Sequence, residues 1–352
     1  MLEFLLSLPL ESLMKAILFL IFLALPMIAA GSTQFDTGRL PDRFDSLGPT
    51  VQQLVIADGK TVHYIDDGEP DWLPVVFTGG LGTSVRIIRL LDFLRTLRSD
   101  LELRFITVER NGFGQTAYDP ELDMADFAAE VEAVLEHLGV EKFAVFGISG
   151  GGPYTAKIAS LHVDRLLSVH MAATSPSLGQ AARCGDESPT SSYLGLLSQP
   201  MQYFGFPASS PMHQVEGFQD SAYDEAARAH FVRGQMADTA PLIHESGLYC
   251  REGKIDTSKV KVPVYVYSGL ADTVLGDEDL EVWHDAFPSA EVTIRAYAGE
   301  GHDVQYRHLD QILLDMAGYG ERVLVCRNGE HEMIKAADLR ADDVQGLCAW
   351  QP

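Results

Sequence analysis

A serine between glycines, in the segment Gly147 to Gly151 (GISGG), is the part of the sequence that most directly suggests chemistry. The segment follows the apolar run Phe143 to Phe146 and precedes a predicted helix. A nucleophilic serine projects from a sharp strand-to-helix turn, and glycines two residues before and after it relieve the crowding there. The pattern predicts a nucleophile elbow at Gly147 and Gly151, with Ser149 as the nucleophile. The alternative is an ordinary glycine-rich turn or a phosphate loop, although no lysine follows the glycines.

Two further residues could activate Ser149, because a serine hydroxyl is a poor nucleophile without a base. Among the 11 histidines, His302 lies in a glycine-rich loop after the predicted strand 291–297. Sites of open α/β sheets form at this carboxyl edge of the strands. Asp272 follows the predicted strand 262–267 and would hold the histidine's tautomer. Alone it would be interpreted as a helix N-cap, and its position beside the other two favours a catalytic role.

Alternating apolar strands and amphipathic helices position these three residues. A hairpin is predicted over Val51 to Asp66, with Asp58-Gly59 at its turn. Strands are then predicted at 75–77, 103–108, 143–146, 166–171, 262–267 and 291–297, and helices at 85–97, 123–138, from 153, and near 309–316. This alternation predicts an α/β fold with a mostly parallel sheet that helices cover on both faces.

Residues 175–257 interrupt this alternation and are interpreted as an inserted cap. They are rich in Ser, Pro, Gly, Met and aromatic residues, with one helix predicted at Tyr223 to Phe231. After the last helix, a hairpin is predicted around Asn328-Gly329. The predicted boundaries are 1–31 for a signal peptide or membrane anchor, 32–50 for a linker, 51–174 and 258–320 for the core, 175–257 for the cap, and 321–352 for a C-terminal appendix.

The N-terminal segment has two interpretations that stay open. Ala16 to Ala30 is an uncharged, mostly apolar run behind Lys15, and its length suits the core of a signal peptide with a small-residue cleavage site. Adding the uncharged residues 31–35 lengthens it enough to span a membrane. We expect an exported or membrane-anchored protein, associated with the membrane through residues 14–31 in the second case. A buried helix is disfavoured because no polar stripe divides the run, and a cytoplasmic location follows only if the segment is not used.

The chain is strongly acidic, with 50 Asp and Glu against 26 Lys and Arg and a net charge of −24. This balance argues against nucleic-acid binding, which needs a basic surface, and against electrostatic docking on anionic lipid. It favours a solvated, self-repelling surface. The four cysteines form no C-x-x-C pair, so neither a zinc site nor a redox motif is predicted.

From about Val51 to Tyr319 the chain resembles the α/β-hydrolase fold superfamily, in particular its esterase-like members with a serine nucleophile. The order Ser149, Asp272, His302 is the order of that family's catalytic triad. Glu109 to Thr116 (ERNGFGQT) resembles the family's loop after its fourth strand, with Asn111 and Thr116 as departures. Ser149 to Tyr154 (SGGGPY) is similar to a version common among esterases.

The resemblance also places an oxyanion hole. The family's oxyanion loop usually begins His-Gly, whereas this chain has Thr78 to Gly82 (TGGLG). Because the donors are backbone N–H groups, the missing histidine side chain need not abolish them. By position, the N–H groups of Gly80 and Gly150 would bind the developing oxyanion, and such donors are each worth roughly 10²–10³ in rate.

The activity that the resemblance implies is hydrolysis of a carboxylic ester or related acyl bond through an acyl-enzyme, with neither cofactor nor metal. Amidase, thioesterase, carbon–carbon hydrolase and acyltransferase reactions at the same site stay open. A serine at the elbow disfavours epoxide hydrolase and haloalkane dehalogenase, whose family members use aspartate there. A non-catalytic binding protein of the same fold is the second hypothesis, although all three triad positions are intact.

An apolar cluster in the predicted cap bears on the substrate. Met201, Tyr203, Phe204 and Phe206 either form the core of the cap or line an acyl pocket. Together with the acidic charge, the cluster predicts a small, neutral, moderately hydrophobic acyl substrate.

Overall fold

The computed structural model describes residues 48–57, 59–175, 199–230, 239–276 and 279–348. The predicted signal peptide or anchor at 1–31, most of the predicted linker, Asp58 of the hairpin turn and part of the predicted cap lie outside these residues. Within the described ranges, no helix combines the length and the apolar character that crossing a bilayer requires.

The described part of the chain contains a sheet with the strand order β1-β2-β4-β3-β5-β6-β7-β8. β1 and β2 form the predicted antiparallel hairpin, and β2 pairs antiparallel with β4. All later pairs are parallel, which confirms the predicted mostly parallel sheet. The strands are β1 Gln52–Val55, β2 Thr61–Asp67, β3 Leu73–Thr78, β4 Leu103–Val108, β5 Phe143–Ile148, β6 Leu166–Ala172, β7 Val264–Gly269 and β8 Val292–Tyr297.

The central strands are buried on both faces, and this explains their composition. Every residue of β4 and β5 is buried, as near-continuous apolar runs in covered parallel sheets predict. On one face, the rings of Phe77 and Phe146 pack with centroids 5.3 Å apart. The strand predicted from Val262 begins two residues later, at Val264, because Pro263 has no N–H to donate.

Helices cover both faces of the sheet, as predicted. The predicted helix at 123–138 is Met124–His137, which starts with a reciprocal capping box between Asp123 and Asp126. The helical stretch predicted at 85–97 is a 3₁₀ helix that continues into a short α-helix. Outside the insertion, the helices are Val85–Leu94 (3₁₀), Arg95–Asp100, Met124–His137, Gly152–Leu161, Val282–Ala286, Val304–Arg307 and Leu309–Met316.

A helical insertion lies between β6 and β7, where the cap was predicted. Its main helices are Phe218–His230 and Ala240–Arg251, with two shorter ones at Pro200–Tyr203 and Pro211–Gln214. The predicted helix starts at Phe218 rather than Tyr223, because Phe218 and Ala222 are buried on the same face. Ala240–Arg251 was not predicted, since its short apolar stripe is interrupted by polar residues.

A second, antiparallel sheet follows the last helix, in the order β10-β9-β11. Its strands are β9 Arg322–Arg327, β10 Glu330–Lys335 and β11 Val344–Gln345. The predicted turn at Asn328-Gly329 is confirmed, and both residues have positive φ. A disulfide joins Cys326 to Cys348. The sheet is attached to the helix Leu309–Met316, because Gln311 donates to the carbonyl of Arg322 and accepts from the N–H of Leu324.

Candidate active site

Ser149 stands at a sharp turn between β5 and the helix Gly152–Leu161. Its φ is +47°, in the left-handed region that non-glycine residues rarely occupy. Strain of this kind, in a residue that follows a fully buried strand, is common at functional sites. The turn has the geometry expected of a nucleophile elbow.

The flanking glycines are required by close backbone approach. A methyl group at Gly147 would overlap the hydroxyl of Thr155, and one at Gly151 would overlap the carbonyl oxygens of Thr78 and Gly79. Glycine at 147 therefore lets the following helix pack closely against β5, and glycine at 151 lets the turn pack against the end of β3, as the predicted elbow pattern implies.

Ser149, His302 and Asp272 come together at the carboxyl edge of the parallel strands. His302 lies in the loop after β8 and Asp272 in the loop after β7. The Ser149 hydroxyl lies 2.9 Å from His302 Nε2, and His302 Nδ1 lies 2.8 Å from Asp272 Oδ2. The side chains of His302 and Asp272 are each 5% exposed, so the hydrogen bond between them is shielded from water, whereas the bond to Ser149 is half-buried. Three residues far apart in sequence are thus joined by hydrogen bonds in the order Ser149, His302, Asp272.

Asp272 uses its two oxygens for different purposes. Oδ1 accepts hydrogen bonds from the N–H groups of Val274 and Leu275, and Oδ2 faces His302. Burial acts to raise the pKa of the Asp272 carboxyl, but the hydrogen bonds from His302, Leu275 and Val274 outweigh it and hold the pKa below 3.8. The carboxylate is charged at neutral pH and can only accept, so His302 Nδ1 is the donor in its hydrogen bond with Asp272 Oδ2. Asp272 thus caps the turn that follows it and also contacts His302, so the contacts expected under both interpretations of this residue from the sequence are present in the structure.

The 79–85 loop, which follows β3, passes directly beside Ser149. A methyl group at Gly80 would lie 3.5 Å from Ser149 Cβ and 3.9 Å from its Oγ. A methyl group at Gly150 would lie 2.6 Å from the nitrogen of Leu81. Gly80 and Gly150, the two residues predicted to supply the oxyanion donors, therefore both lie where the 79–85 loop approaches Ser149.

The comparison with known families agrees with this geometry. Residues 74–309 match the family model described as alpha/beta hydrolase fold. This chain belongs to the α/β-hydrolase fold family. The match includes the elbow, the loop of Asp272 and the loop of His302.

Individual relatives are more distant. A probable proline iminopeptidase of Streptomyces coelicolor is 29% identical over 131 residues, which cover 33% of this chain and 39% of that relative. The chain thus spans about two fifths of the length of the curated relatives it matches. A carboxylesterase structure from the thaumarchaeon Nitrososphaera gargenis has a TM-score of 0.55 at 17% identity, covering 76% of this chain and 97% of that chain. A membrane phospholipase A structure has a TM-score of 0.54 at 16% identity, covering 88% and 99%. At such identities the structures show the shared fold.

Four charged side chains around the 79–85 loop of this α/β-hydrolase-fold protein were not singled out from the sequence. They are Glu109, Arg110, Glu225 and Glu245. The first two lie in the segment that resembles the family's loop after the fourth strand, which was the available signal. Glu225 and Glu245 gave no signal, because their loop partners are 141 and 163 residues away in sequence.

The insertion covers the histidine of the triad. A methyl group at Gly205 would lie 2.6 Å from both Cβ and Cδ2 of His302, so the main chain of the insertion touches the imidazole. Next to it, the ring of Phe206 packs on Tyr306 with centroids 4.8 Å apart. Met201, Phe204 and Phe206 are all buried, which favours their interpretation as core of the insertion, while the side chain of Tyr203 lies outside the description.

In the part of the chain that the structure describes, no group of three or more His, Cys, Asp or Glu side chains is arranged to hold a metal ion.

Proposed function

We propose that this protein is a serine hydrolase that cleaves a carboxylic ester or related acyl bond through an acyl-enzyme intermediate. One observation carries the proposal: the hydrogen-bonded chain Ser149–His302–Asp272, built on an elbow at the carboxyl edge of the sheet. The family supports the same chemistry, since its members include the esterases and iminopeptidases named above.

The proposed reaction has two steps. In the first, Ser149 Oγ attacks the acyl carbon while His302 Nε2 takes the hydroxyl proton, and Asp272 stabilises the imidazolium. The N–H groups of Gly80 and Gly150 bind the oxyanion, and the leaving alcohol receives the proton from His302. In the second, His302 takes a proton from water as the water attacks the acyl carbon. His302 then returns this proton to Ser149 Oγ as the bond from Oγ to the acyl carbon breaks and the acid leaves.

A hydrolysis panel tests the proposal on the full-length protein. The panel contains nitrophenyl esters from acetyl to decanoyl and a prolyl nitroanilide, because the curated relatives are named as proline iminopeptidases. A fluorophosphonate probe should label Ser149 of the wild type and leave Ser149→Ala unlabelled. Ser160→Ala is the matched control, since Ser160 lies near the end of the helix Gly152–Leu161 and its hydroxyl donates to the carbonyl of Lys157 in the same helix. Absence of both labelling and turnover would favour a non-catalytic binding protein.

An exported or membrane-anchored location is part of the same proposal. The apolar N-terminal segment motivates it, and the Cys326–Cys348 disulfide supports it because structural disulfides persist in oxidising compartments. Fractionation of cells that carry the full-length chain tests the location. Recovery in the reducing cytoplasm, with thiols at Cys326 and Cys348, would contradict it.

A further inference from the structure

Four buried ionisable side chains form hydrogen bonds with the main chain of the 79–85 loop. Arg110 donates to its carbonyl oxygens, and three glutamates accept from its N–H groups. The carbonyls that accept from Arg110 are those of Gly79, Gly80 and Thr83. The N–H of Gly82 donates to Glu245, that of Ser84 donates to Glu225, and that of Val85 donates to Glu109. Each of these hydrogen bonds joins the loop to a side chain from another segment of the chain. The conformation of the loop therefore depends on these other segments.

Two of the glutamates belong to the insertion. Glu225 is on the helix Phe218–His230 and Glu245 on Ala240–Arg251, and they are 1% and 2% exposed. Carboxylates are rarely buried this deeply unless partners satisfy them. For Glu245 these partners are the Gly82 N–H at 2.9 Å and Arg110 Nη1 at 2.7 Å. The insertion is therefore bound to the 79–85 loop by buried hydrogen bonds of Glu225 and Glu245.

Arg110 controls the direction of one predicted oxyanion donor. Its Nη1 donates to the carbonyl of Gly79 at 3.1 Å. That carbonyl and the N–H of Gly80 belong to one planar trans peptide unit, in which the two bonds point in opposite directions. The contact from Arg110 thus determines where the Gly80 N–H points, beside Ser149.

The insertion also contacts the second predicted donor residue. The hydroxyl of Tyr249, one turn after Glu245, donates to the carbonyl of Gly150 at 2.5 Å. Arg110 is itself confined, with its guanidinium over the rings of Tyr154 at 5.2 Å and Phe113 at 5.8 Å. Contacts from the helix Ala240–Arg251 therefore reach both sides of the predicted hole.

We propose that Arg110, held in place by Glu245, is a positioning residue for the oxyanion hole, and that the insertion thereby controls how well the hole binds an oxyanion. The inference rests on the proposed serine hydrolase function. According to this inference, the insertion not only covers the site but also affects the reaction rate at Ser149, through Glu245 and Tyr249.

Fluorophosphonate labelling of the full-length protein tests this without knowledge of the substrate, because the phosphonyl oxygen occupies the oxyanion hole as Ser149 is modified. Arg110→Lys loses the fork that spans Gly79 and Gly80, and Glu245→Gln loses the charge that holds Arg110. We expect the labelling rate to fall about 10- to 10²-fold in each. Labelling should still reach completion, and the pH midpoint of the rate should not move, since His302 and Asp272 are untouched.

Asp67→Asn is the matched control for loss of a buried ion pair. Asp67 pairs with Arg98 and Arg95 near the opposite edge of the sheet, so this variant should melt at a lower temperature and label at the wild-type rate. Wild-type rates in a folded Glu245→Gln would overturn the inference. If Arg110→Lys and Glu245→Gln do not fold, Tyr249→Phe decides, because it removes the 3.4 Å contact from the Tyr249 hydroxyl to the Glu245 carboxylate that holds Arg110. A wild-type rate again counts against the inference. Failure of the wild type to label would instead refute the proposed function, and the inference with it.

Discussion

Ser149, His302 and Asp272 contribute unequally to the proposed reaction, although they form one hydrogen-bonded chain. Ser149→Ala and His302→Ala should each lower kcat about 10⁴- to 10⁶-fold, because neither nucleophile nor base works without the other. Asp272→Ala should cost less, since the histidine and the oxyanion donors remain. Steady-state kinetics on the best ester of the panel measures all three losses.

Three control variants replace the same residue types outside the site. Ser160→Ala, His284→Ala and Asp285→Ala should keep kcat within about twofold, because surface or helix substitutions away from special contacts have small effects. Near-normal turnover in His302→Ala would show that another group is the base.

Glu225 predicts a pH-dependent stability. Burial raises the pKa of the Glu225 carboxyl well above 4.5, and the nearby carboxyl groups of Glu109 and Asp224 raise it further. The hydrogen bonds from Ser84 lower this pKa but do not outweigh burial. Tyr306 is a further neighbour of the carboxyl. Because the pKa of Glu225 is higher in the folded protein than in the unfolded chain, the folded protein is more stable at low pH, where this group is protonated. This stabilisation is lost as the pH rises from about 4.5 through the pKa of the folded state. Glu225→Gln cannot ionise at this position, so it does not lose this stability as the pH rises. The unfolding free energy of the variant minus that of the wild type should therefore increase by up to about 1.4 kcal/mol per pH unit in that window.

Chemical denaturation of both proteins between pH 5 and pH 8 measures this gain. Other ionisable groups titrate similarly in the two proteins, and their effects cancel in the difference. A difference that stays constant with pH would mean that Glu225 is ionised at its usual pKa in the folded protein.

The sequence was sufficient for residues whose surroundings are local. Ser149, Asp272 and His302 each follow an apolar strand within a few positions, so the strand pattern places them at one edge of the sheet. Glu225 and Glu245 could not be found in this way, because a buried glutamate in an amphipathic helix has the same pattern as an exposed one.

At the scale of elements, the turn that follows the helix Pro200–Tyr203 should be intolerant of side chains. Gly205 has a φ of +81° and touches His302, so Gly205→Ala adds both backbone strain and a clash with the imidazole. A displacement of about 1 Å at a reacting group costs about 10² in rate. We expect kcat/KM to fall at least about tenfold.

Gly217→Ala separates the two effects. Gly217 lies in the same insertion with a φ of +74°, but an added methyl group meets nothing within 4 Å. The variant should lose about 1–2 kcal/mol of stability from the left-handed backbone and keep its activity. Equal losses of kcat/KM in the two variants would show that strain, and not contact with His302, limits the rate.

The sheet and its helices were predictable to a greater extent than the insertion. Strong periodicity and long apolar runs define β3 to β8 and Met124–His137, whereas the insertion depends on contacts with the rest of the protein. In Phe218–His230, the aromatic ring of Phe218 packs on Tyr306, far along the chain, at 5.6 Å. Such a helix forms because its partner surface is present, and a single-sequence pattern does not contain that surface.

For the whole molecule, the net charge of −24 should disfavour anionic substrates. Among esters from acetyl to decanoyl, kcat/KM should rise by at most about fourfold per methylene, equivalent to about 0.8 kcal/mol, and then fall when the pocket is full. A carboxylated analogue should be a poorer substrate than its neutral counterpart, and salt should reduce the gap through screening. A preference for the charged ester, or for acetyl over every longer chain, would contradict the proposed neutral acyl substrate.

The attachment of β9 to the last helix has a consequence for the order of events during synthesis. All residues of Leu309–Met316 are buried, and Gln311 is satisfied by the main chain of β9. β9 follows this helix in the chain, so the Gln311 side chain lacks its two main-chain partners until β9 has been made and can pair. Released chains that end before Arg322 should therefore be more protease-sensitive and bind chaperones more readily than chains that extend past Val325.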